Sequence, residues 1–225
     1  MDVAAIGDRA LAALSAAMSA EERGRGRRFV QIEDRRSFAA AHGGLRFLLG
    51  AMLGAPPQSF AFAANAYGKP RLDPDRGIAF NMSHSGGIVL IGLAPHLAVG
   101  VDVEALRPLS ERDAIVRRYF HPGEAADFAR VPPSDAEGAF FRCWSRKEAV
   151  VKALGLGMSL DLHRYRVTCT PGDAPRVLAL EGEPEPDADW SLIDLDVGPG
   201  HVGAVAARHR PLTVIQAAFD ASALA

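Results

Sequence analysis

The sequence predicts an α+β fold arranged as a pseudo-dimer of two similar halves, each an antiparallel sheet packed with helices. Three observations carry that expectation. Apolar residues recur at helical spacing near the N-terminus (Leu11, Leu14, Met18) and again in the second half (Phe140, Trp144, Val151, Leu154). Short runs rich in Val and Ile, bounded by Gly, Pro and Asp, read as strands between those helices. Residues 86–102 and 200–216 also echo one another, each a Gly, a branched apolar strand, a polar turn and a second branched strand.

The chain of 225 residues is 48% hydrophobic and 23% charged, with a formal net charge of −2. That composition belongs to a globular protein with enough chain for a sizeable core, and it excludes disorder, collagen-like repeats and a disulfide-stapled miniprotein. Near-neutrality removes wholesale attraction to nucleic acid or anionic lipid, so neither is an expected partner and any polyanion site must be local. Cys143 and Cys169 lack CxxC spacing, which argues against structural zinc and fits a reducing compartment. No apolar run reaches the roughly 20 residues of a spanning helix. The Ala-rich stretch 11–20 resembles a secretory signal only at its small-residue end, because Asp2 and Asp8 outnumber Arg9 ahead of it. A cytoplasmic protein is expected.

Residues 23–46 hold seven arginines (Arg23, Arg25, Arg27, Arg28, Arg35, Arg36 and Arg46) against Glu33 and Asp34. Most of this segment reads as helix, with Phe38, Leu45, Leu48 and Leu49 as its core face. Any one of these arginines reads as solvated surface, but as a cluster they are the natural place for a phosphate group to dock. Pro56-Pro57 ends the helix. A turn at Asp73-Pro74-Asp75 and a short strand over 78–80 follow. The apolar runs 88–93 and 97–103, with Pro95-His96 between them, predict a β-hairpin. Residues 106–108 mark a boundary, dividing the chain into an N-terminal half (1–106) and a C-terminal half (107–225). Beyond it lie a helical stretch (111–119), a helix start at Glu124 and a loop at Pro132-Pro133. Ser134 and Glu137 have capping-box spacing ahead of a helix over 135–154, which Gly155 and Gly157 end. The remainder reads as strands near 165–169, 177–180 and 190–196.

Three segments carry chemistry. In Val99-Gly100-Val101-Asp102-Val103-Glu104 the valines share one face of a strand, while Asp102 and Glu104 share the other. Neighbouring carboxylates repel unless something positive lies between them, which a hard divalent cation would supply; a solvated strand end is the alternative. On the 135–154 helix, Glu148 and Lys152 are four apart and share a face, either as a surface ion pair or as part of a site. The segment 81–87 reads as a loop between strands. Ser83 and His84 are adjacent and point apart, so they make a poor nucleophile–base pair; hydroxyl, imidazole and glycine N–H groups suit a phosphate cradle better, or simply a polar turn. Together these groups are the inventory for phosphoryl transfer from a metal-bound pyrophosphate.

Four motifs in order, Tyr67-Gly68-Lys69-Pro70, Phe80-Asn81-Met82-Ser83-His84-Ser85-Gly86, Val99 to Glu104, and Trp144-Ser145-Arg146-Lys147-Glu148-Ala149-Val150-Val151-Lys152, resemble the surfactin-synthetase-activating type of 4′-phosphopantetheinyl transferase. Weaker similarity, including Arg25-Gly26-Arg27-Arg28-Phe29, extends over most of the chain. The resemblance implies a cytosolic monomer that binds coenzyme A and Mg²⁺ in a cleft between its halves and acts on an apo acyl or peptidyl carrier protein. By motif position it implies Asp102, Glu104 and Glu148 as metal ligands, with Lys152 on the phosphates. Ser83 and His84 would meet the phosphate end of coenzyme A, Gly68, Lys69 and Pro70 its adenine side, and Arg25 its 3′-phosphate. Glu22 is a departure, standing where some members have lysine. Glu148 is the implied base, with Asp102 and Lys152 beside it in catalysis. The carrier is expected near 108–124, where Arg117, Arg118, Tyr119 and Phe120 lie unless the last two belong to the core. A Mg²⁺-dependent phosphohydrolase and a non-catalytic coenzyme A or carrier-binding module use the same residues; the first has no motif of its own here, and the second sits poorly with the presence of Asp102, Glu104, Glu148 and Lys152.

Overall fold

In the computed structural model, which describes residues 1–224 with the Met158 side chain excepted, the N-terminal half begins with three helices, α1 (Asp8–Ala17), α2 (Ala20–Gly26) and α3 (Ile32–Leu53). Of the apolar positions read from the sequence, Leu14 on α1 and Phe38, Leu45 and Leu49 on α3 are buried, while Leu11 and Leu48 are half-buried. Gly54 ends α3 in the left-handed conformation, φ 62°, where a residue without Cβ is at no disadvantage.

Ser19 and Glu22 form a capping box at the start of α2, with Ser19 N–H donating to Glu22 Oε2 at 2.7 Å and Glu22 N–H to Ser19 Oγ at 3.1 Å. Glu22 also accepts from buried Arg46 Nε at 2.9 Å, and His42 Nδ1 lies 3.3 Å from its other oxygen. Arg46 donates onward to the carbonyls of Phe60 and Pro57. This arginine of the predicted phosphate cluster is therefore an internal strut. Burial alone would raise the Glu22 pKa, but the hydrogen bonds from His42, Ser19 and Arg46 and the Arg46 charge outweigh it and hold the carboxyl at about 2. A carboxyl near 4.5 when unfolded and about 2 when folded stabilises the protein fully above the higher value. That contribution is lost as pH falls through the lower one. Urea unfolding between pH 5 and pH 2.5 should show the wild type losing about 2 kcal/mol more than Glu22→Gln over that range.

The sheets contain antiparallel pairings throughout the described residues. A small hairpin joins β1 (Phe62–Ala64) to β2 (Pro70–Leu72). β3 (Ile78–Ser85) pairs with β4 (Ile88–Pro95) around Gly86 and Gly87, and β5 (Val99–Ala105) crosses beside them. The hairpin predicted from 88–93 and 97–103 is thus displaced by one strand, and the expected loop 81–87 is mostly strand. The misreading has a clear cause. Asn81, Ser83 and Ser85 lie two apart on one face of β3 and all reach β5: Asn81 Oδ1 accepts from Val101 N–H at 2.8 Å, Ser83 Oγ donates to Asp102, and Ser85 Oγ accepts from Ala105 N–H at 3.1 Å. A polar stripe that faces a neighbouring strand looks, in sequence, like a turn.

The C-terminal half contains α4 (Arg112–Tyr119), α5 (Pro122–Phe128) and α6 (Ala136–Leu154), then β6 (Tyr165–Val167), β7 (Val177–Leu180), the short α7 (Pro186–Asp189), β8 (Ser191–Leu195) and β9 (His201–Ala207). β6 pairs with β7. β9 lies between β5 and β8, its full length paired with β5 from Val99↔Ala207 to Ala105↔His201. The sequence echo extends only as far as β9, because residues 208–220 are irregular and Gln216 lies on no strand. The C-terminal segment returns to the first half, where Phe219 and Leu224 pack against the cluster of Val3, Leu14 and Val89. The predicted Ser134–Glu137 box does not form. Asp135 caps α6 with helical dihedrals (φ −105°, ψ −9°), and Glu137 instead accepts from Leu109 N–H.

Two adjacent cations fix α6 in the core. Arg146 makes a two-pronged contact with Asp194 of β8, at 2.8 and 2.6 Å, and donates to the Thr168 carbonyl. Lys147, fully buried, donates to both oxygens of fully buried Glu124, at 2.9 and 2.8 Å, and to the Tyr165 carbonyl. Removing one partner leaves the other charge buried and unpaired. Lys147→Met should therefore cost about 3–5 kcal/mol in urea unfolding, and adding Glu124→Gln should restore most of it.

Candidate active site

Three elements meet at Asp102. β5 presents it, β3 brings Ser83 alongside, and α6 reaches over with Lys152. Asp102 is 3% exposed. Its Oδ1 accepts from Lys152 Nζ at 2.6 Å and from Ser83 Oγ at 2.8 Å, while Lys152 also donates to Ser83 Oγ at 3.1 Å. These are short, charge-assisted bonds. The strand position is fixed from behind by Ser145 Oγ on α6, which donates to the Asp102 carbonyl at 3.2 Å. Asp102 Oδ2 is buried with no hydrogen-bond partner among the described residues.

Glu104, two residues along the same face, accepts from Ser85 Oγ at 3.1 Å and lies 3.5 Å from Arg107. Burial raises its pKa, and the Asp102 charge raises it further against the pull of Ser85 and Arg107. Burial likewise raises the pKa of Glu148; Lys152 opposes this, while Asp102 and Glu104 add to it. The Glu148 carboxyl is thus within electrostatic reach of both strand carboxylates. Among the described residues, no three acids, histidines or cysteines stand close enough together to grip an ion as they are. Lys152 pairs with Asp102 rather than with its helix neighbour Glu148.

His84 lies on the opposite face of β3 from Ser83, as the strand alternation requires. Partial burial lowers its pKa; Asp34 at the start of α3 opposes this, and Lys152 and His42 reinforce it.

The 67–70 segment has a mechanical role. Lys69 Nζ donates to the carbonyls of Val99, Lys152 and Ala153, at 3.0, 2.5 and 3.2 Å, tying the start of β5 to the end of α6. Its desolvation lowers the pKa to about 8. Asn65 Nδ2 donates to the Gly155 carbonyl at 2.8 Å and completes this clamp. Lys69 was expected at the adenine; its ammonium is engaged by protein carbonyls instead, leaving the Gly68 turn (φ 88°) and exposed Tyr67 facing out.

The arginine cluster divides. Arg23 donates to the Met18 carbonyl, Arg35 to Phe29 and Val30, Arg36 to Asp8 and Ile6, and Arg46 is internal. Arg25 rests over the Phe38 ring at 5.8 Å. In the 108–124 segment Phe120 is core, stacked on Phe140 at 5.5 Å, and Glu124 is buried, while Tyr119 is 41% exposed with Arg118 over its ring.

Sequence reasoning overlooked Asn81, Ser145, Arg146 and Lys147. The period-two polar stripe could have revealed Asn81. Two cations beside an apolar helix stripe could have revealed the other pair.

Comparison with known proteins decides the family. The model of the 4′-phosphopantetheinyl transferase superfamily matches residues 98–206, from β5 to β9. The 4′-phosphopantetheinyl transferase HetI of Nostoc sp. is 35% identical over 196 residues, covering 86% of this chain and 79% of that protein. The chain belongs to the 4′-phosphopantetheinyl transferase superfamily. The transferase Sfp of Bacillus subtilis is 28% identical over 192 residues, covering 85% of this chain and 83% of its own. Another B. subtilis 4′-phosphopantetheinyl transferase is 33% identical over 163 residues, covering 68% and 67%. The matched span gives this phosphopantetheinyl transferase chain Asp102, Glu104, Glu148 and Lys152 within the family region.

Proposed function

We propose that the protein transfers the 4′-phosphopantetheine group of coenzyme A to a serine of an apo acyl or peptidyl carrier protein, releasing 3′,5′-ADP. The observation that carries this reading is the buried Asp102–Ser83–Lys152 triangle, with bonds of 2.6 to 3.1 Å, in a chain of this superfamily. The proposed active site lies between the halves 1–106 and 107–225, the first supplying Asp102 and Glu104 and the second Glu148 and Lys152.

The donor set suits Mg²⁺. Its groups are all carboxylate oxygens, and buried Asp102 Oδ2 lacks a partner that a cation would provide. Asp102, Glu104 and Glu148 would hold the ion, which when bound supplies neutralisation of the pyrophosphate charge. The remaining steps belong to the chain's own side chains. Glu148, with its raised pKa, is the base that takes the carrier serine proton, directly or through a water. The serine oxygen then bonds to the β-phosphorus as the bond from that phosphorus to the bridging oxygen breaks. Lys152 sits where its ammonium can meet the charge that gathers on that oxygen. Ser83 and His84 flank the phosphates, Gly68 and Pro70 the adenine side, and Arg25 the 3′-phosphate.

No described helix is long and apolar enough to cross a membrane. We read the protein as a cytoplasmic monomer. Incubation with coenzyme A, Mg²⁺ and an apo-carrier protein, followed by mass spectrometry of the carrier, tests the activity. A gain of one phosphopantetheine, abolished by EDTA and restored by added Mg²⁺, is the expected result. Free phosphopantetheine with an unmodified carrier would establish a hydrolase in its place.

A further inference from the structure

The loop between α2 and α3 holds three apolar residues in solvent. Val30 is 85% exposed, Ile32 58% and Phe29 36%. Single exposed apolar side chains are ordinary, but three among four consecutive residues make a patch. The patch is built rather than frayed. Arg35 Nε donates to the Phe29 carbonyl at 2.6 Å and its Nη2 reaches the Val30 carbonyl, so the loop is fastened to the first turn of α3. The Phe29 ring packs on Phe38 at 5.5 Å, and Phe38 packs on His42 at 4.1 Å. The rings tie the exposed loop to α3, and α3 itself packs against β3 and β4, the hairpin that carries Ser83 and His84. Arg27 and Arg28 immediately precede the apolar residues, with Glu33 and Asp34 just after them, and the two arginines' hydrogen bonds among the described residues are backbone ones.

We propose that this loop is a docking surface for the carrier protein, with Val30 and Ile32 entering an apolar patch on it and Arg27 and Arg28 meeting surrounding carboxylates. The inference rests on the transferase reading, because a carrier whose serine enters the cleft must touch the cleft's rim. An acidic partner is favoured by charge: residues 23–36, which contain the loop, hold six arginines against Glu33 and Asp34 in a protein whose net charge is −2. The Phe29 and Val30 backbone is fastened to α3 by Arg35 before binding, which reduces the ordering cost of contact.

The test measures transfer kinetics with an apo-acyl carrier protein and an apo-peptidyl carrier protein. Val30→Ser/Ile32→Ser should raise KM for the carrier about tenfold while leaving KM for coenzyme A and the melting temperature unchanged. Arg27→Glu/Arg28→Glu should raise the carrier KM and flatten its dependence on salt between roughly 50 and 300 mM. Carrier KM values within twofold of wild type for both variants would overturn the proposal. So would a rise in the coenzyme A KM alone, which would assign the loop to the nucleotide. Co-sedimentation of the wild type with vesicles containing phosphatidylserine, lost in Val30→Ser/Ile32→Ser with no change in carrier KM, would make it a membrane surface. A wild type that modifies neither carrier would overturn the transferase reading itself, an outcome distinct from transfer with an unchanged KM.

Discussion

Glu148→Gln should lower kcat for carrier modification by about 10²–10⁴-fold, the usual range for loss of a positioned base, while coenzyme A binding by calorimetry stays within about threefold of wild type. The substitution keeps the side chain's shape and removes its basicity and charge. Glu148 lies on α6 between the Lys147 anchor and the Lys152 contact, and its side chain makes no hydrogen bond among the described residues; burial raises its pKa most, Lys152 pulls the other way, and Asp102 and Glu104 add to the rise. Neutralising it relieves repulsion with two nearby acids. The fold should therefore tolerate the change, and the melting temperature should stay level or rise slightly. Near-normal turnover in the variant would remove Glu148 from the base role. A loss of coenzyme A binding equal to the loss of kcat/KM would assign it to ground-state binding instead.

Strand alternation put Asp102 and Glu104 on one face, and helix spacing put Glu148 and Lys152 on another. Those local periodicities survive in the folded chain because both faces are buried against a partner and any slip would expose the opposite set. What could not be read locally was which elements pair. β4 was expected beside β5 because they are adjacent in sequence, yet β5 pairs with β9 about a hundred residues later. Long-range pairing leaves no periodic trace. Arg46 and Lys69 show the same limit for single residues. Arg46 is in a segment that invites a phosphate and Lys69 in one expected at the adenine, and each is instead directed inward to carbonyls or a carboxylate that only tertiary structure supplies. Glu22 is the complement: an acid at a position that seemed a departure is the buried partner of Arg46. Arg146 and Lys147 lie inside a motif whose chemistry drew attention to Glu148, and the one local trace of their burial is their place beside the apolar stripe of α6.

Gly100→Ala should abolish most activity and cost stability, because β5 and α6 touch backbone to backbone at that residue. A Cβ there would lie 2.0 Å from the Ala149 carbonyl oxygen and 2.3 Å from Ala153 N. Neither is the end of a flexible side chain. Both belong to the α6 stretch that carries Glu148 and Lys152, so the strain cannot relax without moving strand and helix apart by roughly 1 Å or more. Asp102 is two residues along the same strand, and its 2.6 Å bond to Lys152 spans that contact. Lys69, which bonds the Val99 carbonyl together with those of Lys152 and Ala153, would lose the geometry of its clamp at the same time. Overpacking of this kind costs about 3 kcal/mol or more, and an ångström of misplacement among reacting groups costs on the order of 100-fold in rate. Urea unfolding together with kcat/KM for carrier modification should show both losses. Gly138→Ala on the same helix is the control: its Cβ would meet nothing within 4 Å, so activity should hold and stability should rise by up to about 1 kcal/mol. If Gly100→Ala behaves like Gly138→Ala, strand and helix are free to separate, and the close approach does not hold Asp102 and Lys152 together.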